Sequence, residues 1–224
     1  MPPTGTIRPH DEEEGSVPGL PRFRMAVLSV AAVLVTLAGA CSSSHKAPTI
    51  SPPQGFRVVS DDDSQFAIAV PSDWELLPLN PKTFNHVAGD IRARNPKLAS
   101  SLQQARSLAD QGGAKLLAIQ SDASSSVNLI VAAKRKGETF QSIPGQAMNQ
   151  LREAGATDLA RETVTLAREP AVRVTFKLPV ATDNGNVITD EVQYYLLRGR
   201  KAFILTLAGP NPKLATVADS LRFN

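Results

Sequence analysis

Cysteine is nearly absent: the chain of 224 residues has one, Cys41, together with three histidines and a single tryptophan. One thiol excludes an intramolecular disulfide, so the fold must hold by packing, and it excludes cysteine-rich zinc sites. His10 and His45 lie before the part of the sequence that can build a core, which leaves His86, between the apolar positions Phe84 and Val87 on a helical pattern. A nucleophilic relay needs a base with oriented partners and a zinc site needs several ligands; one imidazole meets neither demand. Gly-x-Gly-x-x-Gly, P-loop and His-Glu-x-x-His strings are missing too. Aromatics make up only 5% and do not interleave with a basic stripe, which argues against nucleic acid as a partner. The composition implies no metal and no cofactor.

What the sequence does have is a run of sixteen uncharged residues, Met25 to Ala40, preceded by Arg22 and Arg24. Positive residues, an apolar stretch and small residues at its end form the layout of an export signal. The run is shorter than the roughly 20 apolar residues that span a bilayer, and Ser42, Ser43, Ser44, His45 and Lys46 follow it. Leu37, Ala38, Gly39, Ala40 and Cys41 resemble a bacterial lipobox, with Ala38 where leucine is usual. That resemblance implies that Cys41 receives a diacylglyceryl group and becomes the N-terminus, with acyl chains such as palmitate anchoring the protein on the extracytoplasmic side of the cell membrane. Two or three chains at one residue anchor stably where one is marginal. Residues 1–40 are thus expected to be a lipoprotein signal peptide. The acidic run Asp11 to Glu14 is unlike a short basic leader, so translation is expected to begin later, near Val17.

Removing residues 1–40 removes three of the 24 Lys and Arg and four of the 21 Asp and Glu, so the remainder is slightly more basic than the +3 of the whole. A modest positive balance suits an anionic membrane surface. Residues 41–54, rich in Ser and Pro, have Ile50 as their only large aliphatic side chain and read as a flexible tether.

Residues 55–224 are expected to form one domain. Phe56 to Val59 and Phe66 to Val70 flank a polar turn and predict a hairpin, with Phe66, Ile68 and Val70 on one face and Trp74 folding back over the core. Phe84, Val87 and Ile91, then Leu98, Leu102, Ala105 and Leu108, predict helices broken at Asn95-Pro96 and ended at Gly112-Gly113. Lys115 to Gln120 and Asn128 to Lys134 predict a strand pair. Ser142 to Leu151, stopped by Gly155, predicts another helix. Three strands follow, over Arg161 to Leu166, Val172 to Leu178 and Val187 to Leu197, the last entered through an Asp183-Asn184-Gly185 turn. A hairpin through Arg198 and Lys201 leads into Ala202 to Leu207. Tyr194, Leu196, Phe203 and Leu205 put bulk on both faces there, which predicts cover on two sides. Asn211 as cap and Pro212 open a closing helix with Leu214, Val217, Ala218 and Leu221. The expectation is α+β, an antiparallel β-sheet with helices on both faces.

The lipobox, the Ser/Pro tether, the string of Phe66, Ile68, Val70, Pro71 and Trp74, and the terminal hairpin followed by Asn211-Pro212 and a helix ending at Leu221-Arg222-Phe223 resemble actinobacterial LpqN-type lipoproteins of the PsbP-like fold. The resemblance implies an α/β/α sandwich, an envelope location and a role in binding or assembly without enzymatic activity. It transfers no site residues.

Three functions remain open: an interaction module that binds a protein partner, a carrier or sensor of an apolar envelope ligand, and a hydrolase built on His86. The candidate contacts to a partner or to lipid headgroups are Lys134, Arg135, Lys136, Arg198, Arg200 and Lys201, all at strand ends, where ordinary guarding of sheet edges also places cations. Asp61 to Asp63 lacks the ligand spacing of a calcium loop and reads as a solvated hairpin tip. Tyr194 and Tyr195 face opposite sides, for core packing or for pocket lining.

Overall fold

The computed structural model describes residues 46–94, 99–110, 113–182 and 185–224. Residues 1–45 with Cys41, the Asn95-Pro96 break, Leu98, Gly112 and the Asp183-Asn184 turn lie outside the described residues.

Strands β1 (Phe56–Asp61) and β2 (Phe66–Pro71) form the expected hairpin. A short β3 (Glu75–Leu76) leads to helices α1 (Pro81–Arg94) and α2 (Ala99–Asp110), then β4 (Ala114–Ile119) and β5 (Ser126–Ala133). Helix α3 (Ser142–Glu153) is followed by β6 (Thr157–Leu166), β7 (Glu169–Thr182), β8 (Gly185–Arg198) and β9 (Lys201–Ala208). Helix α4 (Lys213–Ser220) and β10 (Arg222–Phe223) close the chain. Asn211 caps α4 as the sequence predicts, its Oδ1 accepting the Lys213 N–H at 2.9 Å.

All strand pairs are antiparallel, but they form two sheets rather than one: β1-β2-β10 and β3-β4-β5-β9-β8-β7-β6. The residues read as the end of the last helix, Arg222 and Phe223, leave α4 and pair with Ala67 and Phe66. Where that pairing stops, Ser220 Oγ accepts the Ala69 N–H at 2.8 Å, so β2 has hydrogen-bond partners on both edges. Every residue of β2 is buried.

Strand alternation gives the seven-stranded sheet two unlike faces. One packs Leu116, Val127, Leu129, Phe203, Leu205 and Leu196 against Phe66, Ile68, Val70, Trp74, the α4 residues Leu214 and Val217, and Leu221 just after them, in one continuous core. The other carries two separate cores: Phe84, Ile91 and Leu102 of α1 and α2 over Leu117 and Ile119, and Ile143, Ala147 and Leu151 of α3 over Val172, Val174, Phe176 and Tyr195. Ile130 touches both. No helix among the described residues is long and apolar enough to cross a membrane.

Candidate functional site: a basic end and a polar cleft

The two ends of the seven-stranded sheet differ in chemistry. Glu191, midway along β8, and Arg198, at its C-terminal end, are about 23 Å apart at roughly 3.3 Å per residue.

At the Arg198 end the antiparallel pairing collects all six cations singled out from the sequence, because β5 ends, β8 ends and β9 begins there. The Lys134 N–H donates to the Arg200 carbonyl at 2.8 Å. Arg135 faces Glu138 across 3.9 Å, and Lys136 is exposed beside them. Arg198 reaches Glu169 at 3.4 Å, donates to the Asn224 carbonyl and lies 5.2 Å from the centre of the Phe223 ring. Lys201 Nζ donates to the Asp63 carbonyl. The β6–β7 turn adds the exposed Arg168. The sequence named these residues without showing that they are neighbours; register makes them so. The Asp61 to Asp63 tip sits at this end as part of the scaffold: Asp61 pairs with Lys115 at 3.0 Å and takes the Ser64 N–H. Burial pushes the Asp61 carboxyl up, but the hydrogen bonds from Lys115 and Ser64 outweigh it together and the net pKa is lowered.

The chain reaches the domain at this same end. The Ala47 N–H donates to Asp62 Oδ1 at 2.8 Å, and Asn224 Nδ2 donates to the Lys46 carbonyl at 2.8 Å. Lys46 is therefore fixed beside the C-terminus and the β1–β2 turn.

At the other end, between the two helix-covered cores, lies a cleft of about 90 Å3, partly open to solvent. Its origin is a row of polar side chains on a sheet face that is otherwise apolar. Asn128 of β5 is opposite Thr206 of β9, which is opposite Gln193 of β8. Glu191, two residues before Gln193 on the same face of β8, is opposite Ala208. All four polar side chains are buried. The Tyr195 hydroxyl donates to Gln193 Oε1. Asn128 Oδ1 and Glu191 Oε2 have no hydrogen-bond partner, although each residue is only 3% exposed. Both line the cleft, with Thr189, Val180 and Ala208 beside them. Loss of water drives the Glu191 carboxyl up to about 7, and burial with the Glu191 charge raises the Tyr195 phenol above its ordinary range.

The cleft wall formed by Ser124 and Ser125, in the β4–β5 turn, and Ser126, the first residue of β5, is clamped by the segment after β9. Ser125 Oγ accepts the Asn211 N–H at 3.2 Å, and Asn211 Nδ2 donates to Gln120 Oε1 at 2.7 Å. Gly209, at φ +99, lies so close that a Cβ there would overlap the Ser124 carbonyl oxygen and stand 2.8 Å from Ser125 Cα. Only glycine combines that φ with that approach.

Glu191 and Asn128 were not singled out from the sequence. A signal was present: Glu191 and Gln193 fall within a strand read as covered on both faces, where a polar residue contradicts the pattern around it. The tyrosines do not line the cleft; Tyr195 packs into the core under α3 and Tyr194 is half-buried on the opposite face. His86 is exposed on α1, 3.7 Å from Asp90 one turn along. Among the described residues no group of three or more His, Cys, Asp or Glu side chains is placed to hold a metal ion.

No protein-family model matches the chain, and no curated protein matches it in sequence. Solved structures do. Cyanobacterial PsbP (CyanoP) from Synechocystis is 12% identical over 83% of this chain and 98% of its own, with a TM-score of 0.50. LpqN of Mycobacterium tuberculosis, described as involved in cell envelope biogenesis, is 12% identical over 71% of this chain and 83% of its own, with a TM-score of 0.42. At such identity the likeness to CyanoP speaks for architecture alone: the chain has an α+β fold of antiparallel sheets and helices that matches the PsbP-like arrangement.

Proposed function

We propose that this protein is a lipid-anchored module of the cell envelope that works by binding rather than by breaking bonds. A diacylglyceryl group on Cys41 holds it on the extracytoplasmic side of the membrane, the basic end of the sheet rests on the anionic headgroups, and the cleft end is held away from them.

The observation that carries this reading is the position of Lys46. It leaves the domain on the basic end, and the five residues back to Cys41 reach at most about 18 Å even when fully extended. An anchor at Cys41 therefore keeps Lys134, Lys136, Arg168 and Arg200 close to the bilayer. All four are exposed, and their side chains form no ion pair among the described residues. Near an anionic surface each is worth about 1 kcal/mol. At the far end the β7–β8 hairpin runs past the last β9 pair at Glu191 and exposes Val187 and Ile188, a surface for a protein partner. Binding without catalysis is supported by the exposed position of His86, away from the cleft lining. The buried Glu191 and Asn128 on the cleft floor favour a polar ligand over carriage of a wholly apolar one.

The test is Cys41→Ala in a bacterial host fed an alkyne-tagged palmitate. The expected outcome is loss of the label and release of the protein from the membrane fraction. Unchanged labelling and fractionation would refute the anchor.

A further inference from the structure

We infer that the cleft between the α1–α2 and α3 cores binds a ligand through a primary ammonium group, which pairs with the Glu191 carboxylate on the cleft floor. The inference goes beyond the envelope reading and needs no membrane: it stands whether or not Cys41 is acylated.

The cleft lacks cations of its own. Two acceptor atoms, Glu191 Oε2 and Asn128 Oδ1, have no donor; both are buried, on side chains that are each 3% exposed and line the same cleft. A buried acceptor without a partner costs about 1–3 kcal/mol, more when charged, so a fold that retains two of them in one place holds a site for donors. The lining contains no Lys, Arg or His, which leaves nothing to balance an anionic ligand. An ammonium group brings three donors and a positive charge. Hydroxyls of Ser124, Ser126 and Thr189 are available in the wall for its remaining donors, and Val180 and Ala208 border a short aliphatic stem.

The floor of the cleft is sheet and its serine wall is held by the Asn211 hydrogen bonds and by Gly209, so the walls stand in place before any ligand arrives.

Proton balance follows. Glu191 is the only titratable residue in the lining; α2 contributes Ala105, β5 contributes Asn128, β9 contributes Ala208, the Tyr195 phenol further along β8 feels the Glu191 charge, and Asp122 of the β4–β5 turn accepts hydrogen bonds from Ser124 in the wall. Ligand-free, the carboxyl holds its proton up to about pH 7 because burial disfavours the anion. Binding of R–NH3+ leaves a carboxylate beside the cation and releases one proton to solvent, so affinity increases with pH until Glu191 is ionised in the empty cleft.

The experiment is a titration of the full chain in neutral detergent micelles with n-butylammonium, and with n-pentanol, one carbon longer, as a neutral probe, followed by 1H–15N NMR. The Asn128 side-chain amide and the backbone amides of Ser126, Glu191 and Ala208 are expected to shift saturably with butylammonium, and at least tenfold more weakly with pentanol. Between pH 5.5 and pH 8 the butylammonium affinity is expected to increase about thirtyfold, the factor set by a carboxyl that titrates near 7. Glu191→Gln is expected to remove the saturable shift while leaving the amide spectrum outside the cleft in place. Equal binding of the alcohol, an affinity flat with pH, retention of binding in Glu191→Gln, or no saturable shift in the native chain would each overturn the inference. The pH series on the native chain decides the matter even where the variant fails to fold.

Discussion

Both ends of the seven-stranded sheet carry polar groups, but they satisfy them in opposite ways. At the basic end Arg198 has a carboxylate, a carbonyl and an aromatic ring; Lys201 has a carbonyl; Asp61 has a lysine and a backbone N–H. At the cleft end Glu191 and Asn128 are more deeply buried and each leaves an acceptor unpaired. Exposed ion pairs are worth little, since water already serves the separated charges. Buried acceptors are costly to leave open, because nothing replaces the water they lose. The lesson is that function is to be sought where the fold tolerates a loss, and here that is the end with the lower charge.

This contrast can be broken most severely at Gly209. Gly209→Val places side-chain atoms where the Ser124 carbonyl stands and is expected to cost about 3 kcal/mol or more, read as a lower denaturation midpoint. Next in size is Glu191→Gln. The folded-state pKa of about 7 lies above the ordinary 4.5, so the native state keeps its proton while the unfolded chain has already lost it. Stability is therefore fully present below about pH 4.5 and declines as pH rises to about 7, by roughly 3 kcal/mol for that single group. Glu191→Gln should match the native chain at pH 4 and exceed it in melting temperature at pH 8; a constant difference across that range would show that the carboxyl titrates normally.

At the opposite end Arg198→Ala removes contacts to Glu169, Asn224 and Phe223 together, and a loss of about 1–2 kcal/mol is expected with little dependence on pH between 5 and 8. The smallest effect sharpens the contrast. Asn128→Leu fills its position with an apolar group of similar volume and is expected to be neutral or to stabilise by up to about 1 kcal/mol in urea titrations, whereas the same kind of change at a satisfied buried polar residue destabilises.

Much of this fold was legible as periodicity. The Val172, Val174, Phe176 and Leu178 alternation gave β7, the spacing of Ile143, Ala147 and Leu151 gave α3, and Asn211 gave the cap of α4, because each is a local pattern with a local cause. The division into two sheets was not, since the pairing of Phe223 with Phe66 joins residues at opposite ends of the domain and leaves no trace in either segment. The basic residues were legible one by one, while their convergence depended on the register of β5, β8 and β9. For the cleft the sequence held half a signal: Glu191 interrupts a strand read as covered on both faces, whereas Asn128 is an ordinary polar residue, and only the split between two helix-covered cores turns them into a floor.

The central claim is that the two ends face different surroundings, and it can be measured directly. With Cys41 acylated, a single introduced thiol takes a spin label, either by Lys136→Cys at the basic end or by Val187→Cys at the cleft end. On vesicles containing anionic lipid, the label at 136 should lose collisions with a water-soluble nickel complex while the label at 187 stays as accessible as in free solution. Equal accessibility at both positions, or protection at 187 alone, would contradict the account.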